Sequence, residues 1–286
     1  MKILITGATG MLGLYVMRQL SEQPYEIVVA DRSRFDLAAP DEAYRYVSEV
    51  QADVILHLAA ETDVDLCERE PQRAGIRNHI TTERIAMAAA KSGAWLLYIS
   101  TSNVFGGNGG LEFNELDLPM PTNYYGRSKL YGEQAVRTLC PGNHYIIRAG
   151  WMIGGGAERD HKFVGKIVRQ LLGGATTLNA VADKFGSVTP APLLAKFIAW
   201  AIDQRPVGTL HFSSSGTVNR FMIAEAIIGI IGSEASCSPV KSAMFPLSAP
   251  RPVSEGLTSL YLPMLSGAPV PGAWHEDLKD YVTEFL

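Results

Sequence analysis

The sequence predicts a doubly wound α/β fold with a central parallel sheet, and three observations predict it. Short apolar runs alternate with helix-like stretches through the first 150 residues. The runs lack polar–apolar alternation, as strands buried on both faces do. A glycine-rich turn joins the first run to the first helix-like stretch. Strand and helix in such repetition build a sheet covered on both sides.

In chain order, strands are expected at 2–6, 26–30, 54–58, 95–100 and 144–148. Helices are expected between them at 12–21, 40–50, 71–92 and 122–139. Pro71 suits a helix start, where its missing N–H costs nothing. Gly93, after Lys91 and Ser92, suits a helix stop. Past residue 150 the texture changes. Gly154, Gly155 and Gly156 read as a loop, and helices are expected at 163–172, 192–203, 220–231 and 274–285. The stretch 233–271, rich in Ser, Pro and Gly, reads as irregular connection. We expect a nucleotide-binding unit over 1–150 and a smaller mixed substrate-binding region over 151–286, packed over the mouth of the sheet and free to interleave with it.

Composition excludes several classes. The chain has 286 residues, 47% of them hydrophobic and 19% charged, enough to bury a sizeable core. The net charge of −4, without blocks of like charge, argues against nucleic acid as a partner. Cys67, Cys140 and Cys237 are odd in number and far apart, so neither a disulfide framework nor a CxxC metal site is expected, which fits the cytoplasm. The late apolar run 193–202 contains Lys196 and falls far short of the ~20 residues of a membrane span. The six histidines show no metal-ligand spacing; His57 and His144 read as buried, satisfied side chains.

Gly7, Gly10 and Gly13 form GxxGxxG between strand and helix. Such a turn brings backbone amides up to a pyrophosphate, with Met11 and Leu12 opening the helix behind it. Asp31 ends the second strand, 18 residues beyond Gly13, where it can hold the adenosine ribose hydroxyls of NAD. Arg32 and Arg34 can instead hold a 2′-phosphate, so NAD and NADP both stay open. Asp36 and Leu37 are placed near the adenine, and Ala59 and Ala60 leave room for a cofactor after the third strand.

Tyr125 and Lys129 are spaced i, i+4 on one face of a predicted helix. A phenol titrates near pH 10, and a neighbouring ammonium is expected to bring it toward neutrality. Thr101, beside Ser100 at a strand end, faces the same crevice and can hydrogen-bond the group that Tyr125 protonates. Tyr124 falls on another face and reads as packing. Asn78 is placed near the site, and Lys162, Lys166 and Arg169 read as a solvated face or as contacts to a diphosphate.

These residues resemble the extended short-chain dehydrogenase/reductases and, within them, the dTDP-4-dehydrorhamnose reductase family. The likeness rests on GATGMLG, FDLAAP, ADVILHLAAETDVDLCEREP, SGAWLLYISTSNVFGG, NYYGRSKLYGE and IIRAGWMIG, with a weaker segment at Ala249–Pro252. The resemblance implies Thr101, Tyr125 and Lys129 as catalytic triad, with Lys129 also holding the nicotinamide ribose. It implies hydride transfer from NAD(P)H to the C4 carbonyl of a nucleotide-linked 4-keto-6-deoxy sugar, and Trp151 as a wall of the sugar pocket. The family usually carries Asp-Tyr where this chain has Ser102 and Asn103, so contacts to the sugar are expected to differ. Ser254 stands where Asn is commoner. Tyr15 stands where some members carry a magnesium-binding Glu, so any homodimer is expected to lack that bridging metal. A 4-epimerase with retained NAD and a non-catalytic, cofactor-binding regulatory subunit are the alternatives. A 4,6-dehydratase is disfavoured because the Asp-Glu pair it would carry is absent.

Overall fold

The computed structural model describes residues 1–30 and 34–286. Its central sheet has six parallel strands: β1 (Lys2–Thr6), β2 (Glu26–Ala30), β3 (Val54–His57), β4 (Trp95–Thr101), β5 (His144–Ala149) and β6 (Gly208–Phe212). Their order across the sheet is β2-β1-β3-β4-β5-β6.

The missing alternation in sequence follows from burial on both faces. Ile3 and Ile5 of β1 point into one core, with Leu56, Leu97, Ile147, Val16 and Phe197. Leu4 between them points into the other, with Ile55, Leu96, Ile146, Ile85 and Val136. Successive strand side chains alternate between faces, so both sets must be apolar when helices cover both. The chain leaves β1 toward β2 on one side and returns to β3 on the other. That reversal opens a crevice beyond the carboxyl ends of β1 and β3.

β6 comes from the later half of the chain and pairs with β5, Leu210 opposite Ile147. The sequence reading did not find it, because a five-residue strand opening on Gly208 carries too little apolar signal. The preceding helix Ala191–Gln204 shares a core with the first helix, Met11–Leu20. A third core, including Val164, Val168, Ile223, Ile227, Leu278 and Val282, holds the helices Phe163–Leu172, Arg220–Ile231 and Trp274–Phe285 together.

The stretch expected as one helix over 71–92 is three pieces: Pro71–Ala74, a π-helical turn Gly75–Ile80, and Thr81–Ser92. The wide turn coincides with Asn78, whose side chain accepts from the Glu61 amide and donates to the Glu61 carbonyl. Gly93 ends the last piece in the left-handed conformation, as its position predicted. A six-residue helix, Val64–Arg69, was missed; Asp63 caps it by accepting from the Leu66 amide. Within 233–271, Ser236–Val240 is a strand paired with Thr177–Val181. Among the described residues no helix is long and apolar enough to cross a membrane.

Candidate active site

The glycine turn sits at the crevice between β1 and β3. Gly7 has φ +73°, and a Cβ there would lie 2.7 Å from the Ala59 amide nitrogen. Gly13 is closer still, since its Cβ would lie 2.2 Å from the Gly7 carbonyl oxygen. Both must be glycine for turn, helix and β3 exit to touch. The Gly10 amide donates to the Gly7 carbonyl at 3.0 Å, and the helix begins at Met11. Its first amides, at Met11 and Leu12, have no partner within the helix, and the helix dipole favours negative charge there. This glycine-walled cradle, with free amides behind it, fits a dinucleotide pyrophosphate.

Asp31 and Arg32 lie outside the described residues. Arg34 is exposed, with its guanidinium over the Tyr46 ring. Asp36 turns its carboxylate onto the Ala38 amide, and the Leu37 carbonyl accepts from Thr81. Ala59 is held in place by its amide, which donates to the Thr6 hydroxyl at 3.2 Å; Ala60 follows it along the cleft.

That hydroxyl belongs to a buried network. Thr82 donates to the Asn78 carbonyl, so its oxygen accepts from His57 Nε2, leaving His57 Nδ1 to accept from Thr6 at 2.8 Å. His57 stacks on Tyr98, and the Lys129 Nζ lies 4.0 Å from the Tyr98 ring centroid. Burial, with the Lys129 charge, lowers His57 to about 3, so the ring stays neutral.

Tyr125 and Lys129 sit on the helix Tyr124–Leu139, both buried, with Thr101 at the end of β4. Asn123 caps this helix by accepting from the Gly126 amide and donates to the Asn103 side chain and the Pro250 carbonyl. At Gly126 a Cβ would lie 2.0 Å from the Asn103 carbonyl oxygen, so only glycine lets the helix approach the end of β4 this closely. The Thr101 hydroxyl accepts from the Asn103 amide at 3.2 Å and lies near enough to Tyr125 to favour its phenolate. Burial pushes the Tyr125 phenol above its ordinary value, against the pull of Thr101. Helical spacing therefore does not bring the phenol toward neutrality, as the sequence argument had expected. It is Lys129 that moves: burial lowers its ammonium to about 7, against support from Glu133.

Glu133 lies one turn further along, fully buried. It receives two hydrogen bonds from Arg148, one from Ser100 and one from the half-exposed Arg137. Burial opposes its charge, but Arg148 and Arg137 hold its carboxyl below the ordinary range. Tyr124 faces outward under Arg127, and its amide donates to Glu68.

On the substrate side, the three residues singled out by sequence converge on one that was missed. Ser102 Oγ donates to Glu255 Oε2 at 2.7 Å, Asn103 Nδ2 to the same oxygen at 2.5 Å, and Trp151 Nε1 to Oε1 at 2.8 Å. Burial pushes the Glu255 carboxyl above the ordinary carboxylate range, against those hydrogen bonds and the charges of Arg220 and Arg251. The signal was present but faint: Glu255 is one of two acidic residues in 233–271. Arg220 was also missed; its guanidinium is sandwiched between the Trp151 and Phe163 rings, 4.9 and 4.8 Å from their centroids. Of the basic residues considered for a diphosphate, Arg169 is spent on the Ala157 and Asp160 carbonyls, and Lys166 is exposed. Lys162 is close enough to Arg220 to feel its charge.

Other marked residues tie the site together. Asp65 takes the Ala249 amide and the Arg251 guanidinium at 2.8 and 2.9 Å, fixing the loop that carries Glu255. Tyr15 accepts from the Gly155 amide. Among the described residues there is no group of three or more His, Cys, Asp or Glu that could hold a metal ion.

Comparison with known proteins identifies a family. The family model "RmlD substrate binding domain" matches residues 1–286. A dTDP-4-dehydrorhamnose reductase of Mycolicibacterium smegmatis is 34% identical over 284 residues, covering 98% of this chain and 85% of the relative. The crystal structure of a dTDP-4-dehydrorhamnose reductase from Yersinia enterocolitica is 58% identical, with TM-score 0.99 and coverage of 100% and 99%. That of the Bacillus anthracis reductase in complex with NADP is 31% identical, with TM-score 0.90 and coverage of 99% of each chain.

Proposed function

The chain belongs to the RmlD substrate binding domain family, and from that premise we propose that it is an NAD(P)H-dependent reductase of the C4 carbonyl of a nucleotide-linked 4-keto-6-deoxy sugar. What supports this reading is that Tyr125 and Lys129 are buried on one helix, with Thr101 buried at the end of β4, and that Lys129 connects through Tyr98 and His57 to Thr6 and Ala59 at the glycine cradle. The names of the relatives point to a dTDP sugar as substrate, and we place the activity in deoxysugar biosynthesis in the cytoplasm.

The reduced nicotinamide, when bound, supplies the hydride. Tyr125 gives its proton to the carbonyl oxygen, and burial keeps that proton on the phenol until the oxygen becomes basic enough to take it. Thr101, near the phenol, orients the same oxygen. Lys129 holds the nicotinamide ribose and, as an ammonium, stabilises the phenolate left behind. Gly7, Gly10, Gly13 and the amides of Met11 and Leu12 bind the pyrophosphate of the cofactor. Arg220, stiffened between two aromatic rings, is placed to take the substrate diphosphate, since a guanidinium matches phosphate oxygens two at a time.

The test follows NADH and NADPH oxidation against a panel of nucleotide-linked 4-keto sugars. Oxidation is expected with at least one, and Tyr125→Phe should lower turnover by roughly 10²- to 10⁴-fold while cofactor binding stays intact. Full activity in Tyr125→Phe would overturn the mechanism. No oxidation across the panel, with cofactor bound, would favour the epimerase or the regulatory subunit.

A further inference from the structure

We propose that Glu255 is the specificity-determining acceptor of the sugar pocket, a carboxylate that reads a ring hydroxyl of the substrate. This rests on the reading above that the pocket takes a nucleotide-linked sugar.

Glu255 is only 6% exposed, and its three side-chain donors, Ser102, Asn103 and Trp151, are all neutral. Among the described residues no lysine or arginine nitrogen lies within the 4.0 Å of an ion pair with it. A buried carboxylate without an ion pair is costly, and hydrogen bonds from neutral donors offset only part of that cost. A carboxylate offers about four acceptor positions, and three are used.

Its place argues for substrate. Ser102 and Asn103 follow Thr101 directly, and the Glu255 charge reaches the Tyr125 phenol. The backbone is locked: the Glu255 amide donates to the Phe185 carbonyl, Ser254 Oγ to the Leu111 carbonyl, and Lys184 to the Arg251 carbonyl. Such fixing is what a recognition group requires, because its hydrogen bond is then formed without further ordering. The neutral donors already gathered around Glu255, and the nearby charges of Arg220 and Arg251, favour a hydroxyl over an ammonium as the fourth partner.

The geometry also explains Ser102. With its hydroxyl 2.7 Å from Glu255 Oε2, an aspartate at 102 would bring a second carboxylate against the first. One acid fits this pocket, and here it arrives from the C-terminal loop.

The test compares affinities of dTDP and dTDP-L-rhamnose for wild type, E255S, E255Q and the double variant S102D/E255S by calorimetry. E255S and E255Q should bind dTDP as wild type does but lose roughly tenfold to a hundredfold on dTDP-L-rhamnose, the size expected for a hydrogen bond to a charged acceptor. S102D/E255S, which returns the carboxylate from the other side, should recover most of that loss. E255Q keeps the side-chain volume and preserves the comparison if E255S does not fold. The proposal is overturned if dTDP and dTDP-L-rhamnose weaken equally, if neither changes, or if wild type binds dTDP-L-rhamnose no better than dTDP. Because binding is read without turnover, failure of the wild type to reduce any keto sugar would sink the reductase reading while leaving this comparison intact.

Discussion

Raising the pH through neutrality should remove the charge from Lys129 and slow the reaction with it. Lys129 is only 2% exposed and its Nζ lies against the face of Tyr98, an attraction far weaker than the hydration it has lost. Glu133 supports the ammonium, but that carboxylate is already shared between Arg148 and Arg137. The balance leaves Lys129 at about 7 instead of the ordinary 10.5. One pH unit above its midpoint, about a tenth of the protein holds the ammonium, and two units above, about a hundredth. The kcat/KM for reduction, which reports groups of the free enzyme, should therefore fall about tenfold per unit above neutrality. The assay is initial-rate hydride transfer at subsaturating sugar nucleotide, at constant ionic strength. Tyr125, raised by burial, should add no second break in that range. On stability the same shift has the opposite sign. Between about 7 and 10.5 the unfolded chain holds the proton that the folded chain has released, so this group's contribution rises with pH, by at most about 1.4 kcal/mol per unit. A kcat/KM that stays flat for two units above neutrality would refute the reasoning.

Two further outcomes follow from buried geometry. Glu133→Gln leaves the Arg148 guanidinium buried without its bidentate partner and should destabilise the protein by roughly 3–5 kcal/mol, read by urea unfolding; a loss below about 1 kcal/mol would show that the site relaxes or admits water. Gly13→Ala places a methyl group 2.2 Å from the Gly7 carbonyl oxygen and must push the turn away from the helix, so NADPH affinity by fluorescence titration should drop at least about tenfold; unchanged affinity would mean that the cradle does not hold the cofactor.

Much of this molecule is legible locally. Strands β1 and β2 and the helices at Pro40–Val50, Phe163–Leu172, Arg220–Ile231 and Trp274–Phe285 fall where periodicity and punctuation place them. The glycine turn and the Tyr125–Lys129 pair are legible for the same reason. Each depends on residues within one or two turns of one another, where backbone geometry alone decides what can meet. The six-residue helix at Val64–Arg69 and the π-helical turn at Asn78 escaped, because one is too short to show a period and the other follows from a side chain anchored to Glu61.

The scaffold and the reacting groups follow from local sequence: a parallel sheet buried on both faces, a cradle at its first turn, and a phenol and an amine on one helical face. Tertiary structure decided which residues condition that chemistry. β6 joins the sheet from some sixty residues beyond β5, Gly126 lets the Tyr125 helix close on the Asn103 carbonyl, and Glu255 meets Ser102 across 153 positions of sequence. The midpoint of Lys129 is likewise a property of the folded interior, since desolvation arises only when distant segments close over a charge. No spacing in the chain encodes such contacts, because their energy depends on distance in space and on the exclusion of water.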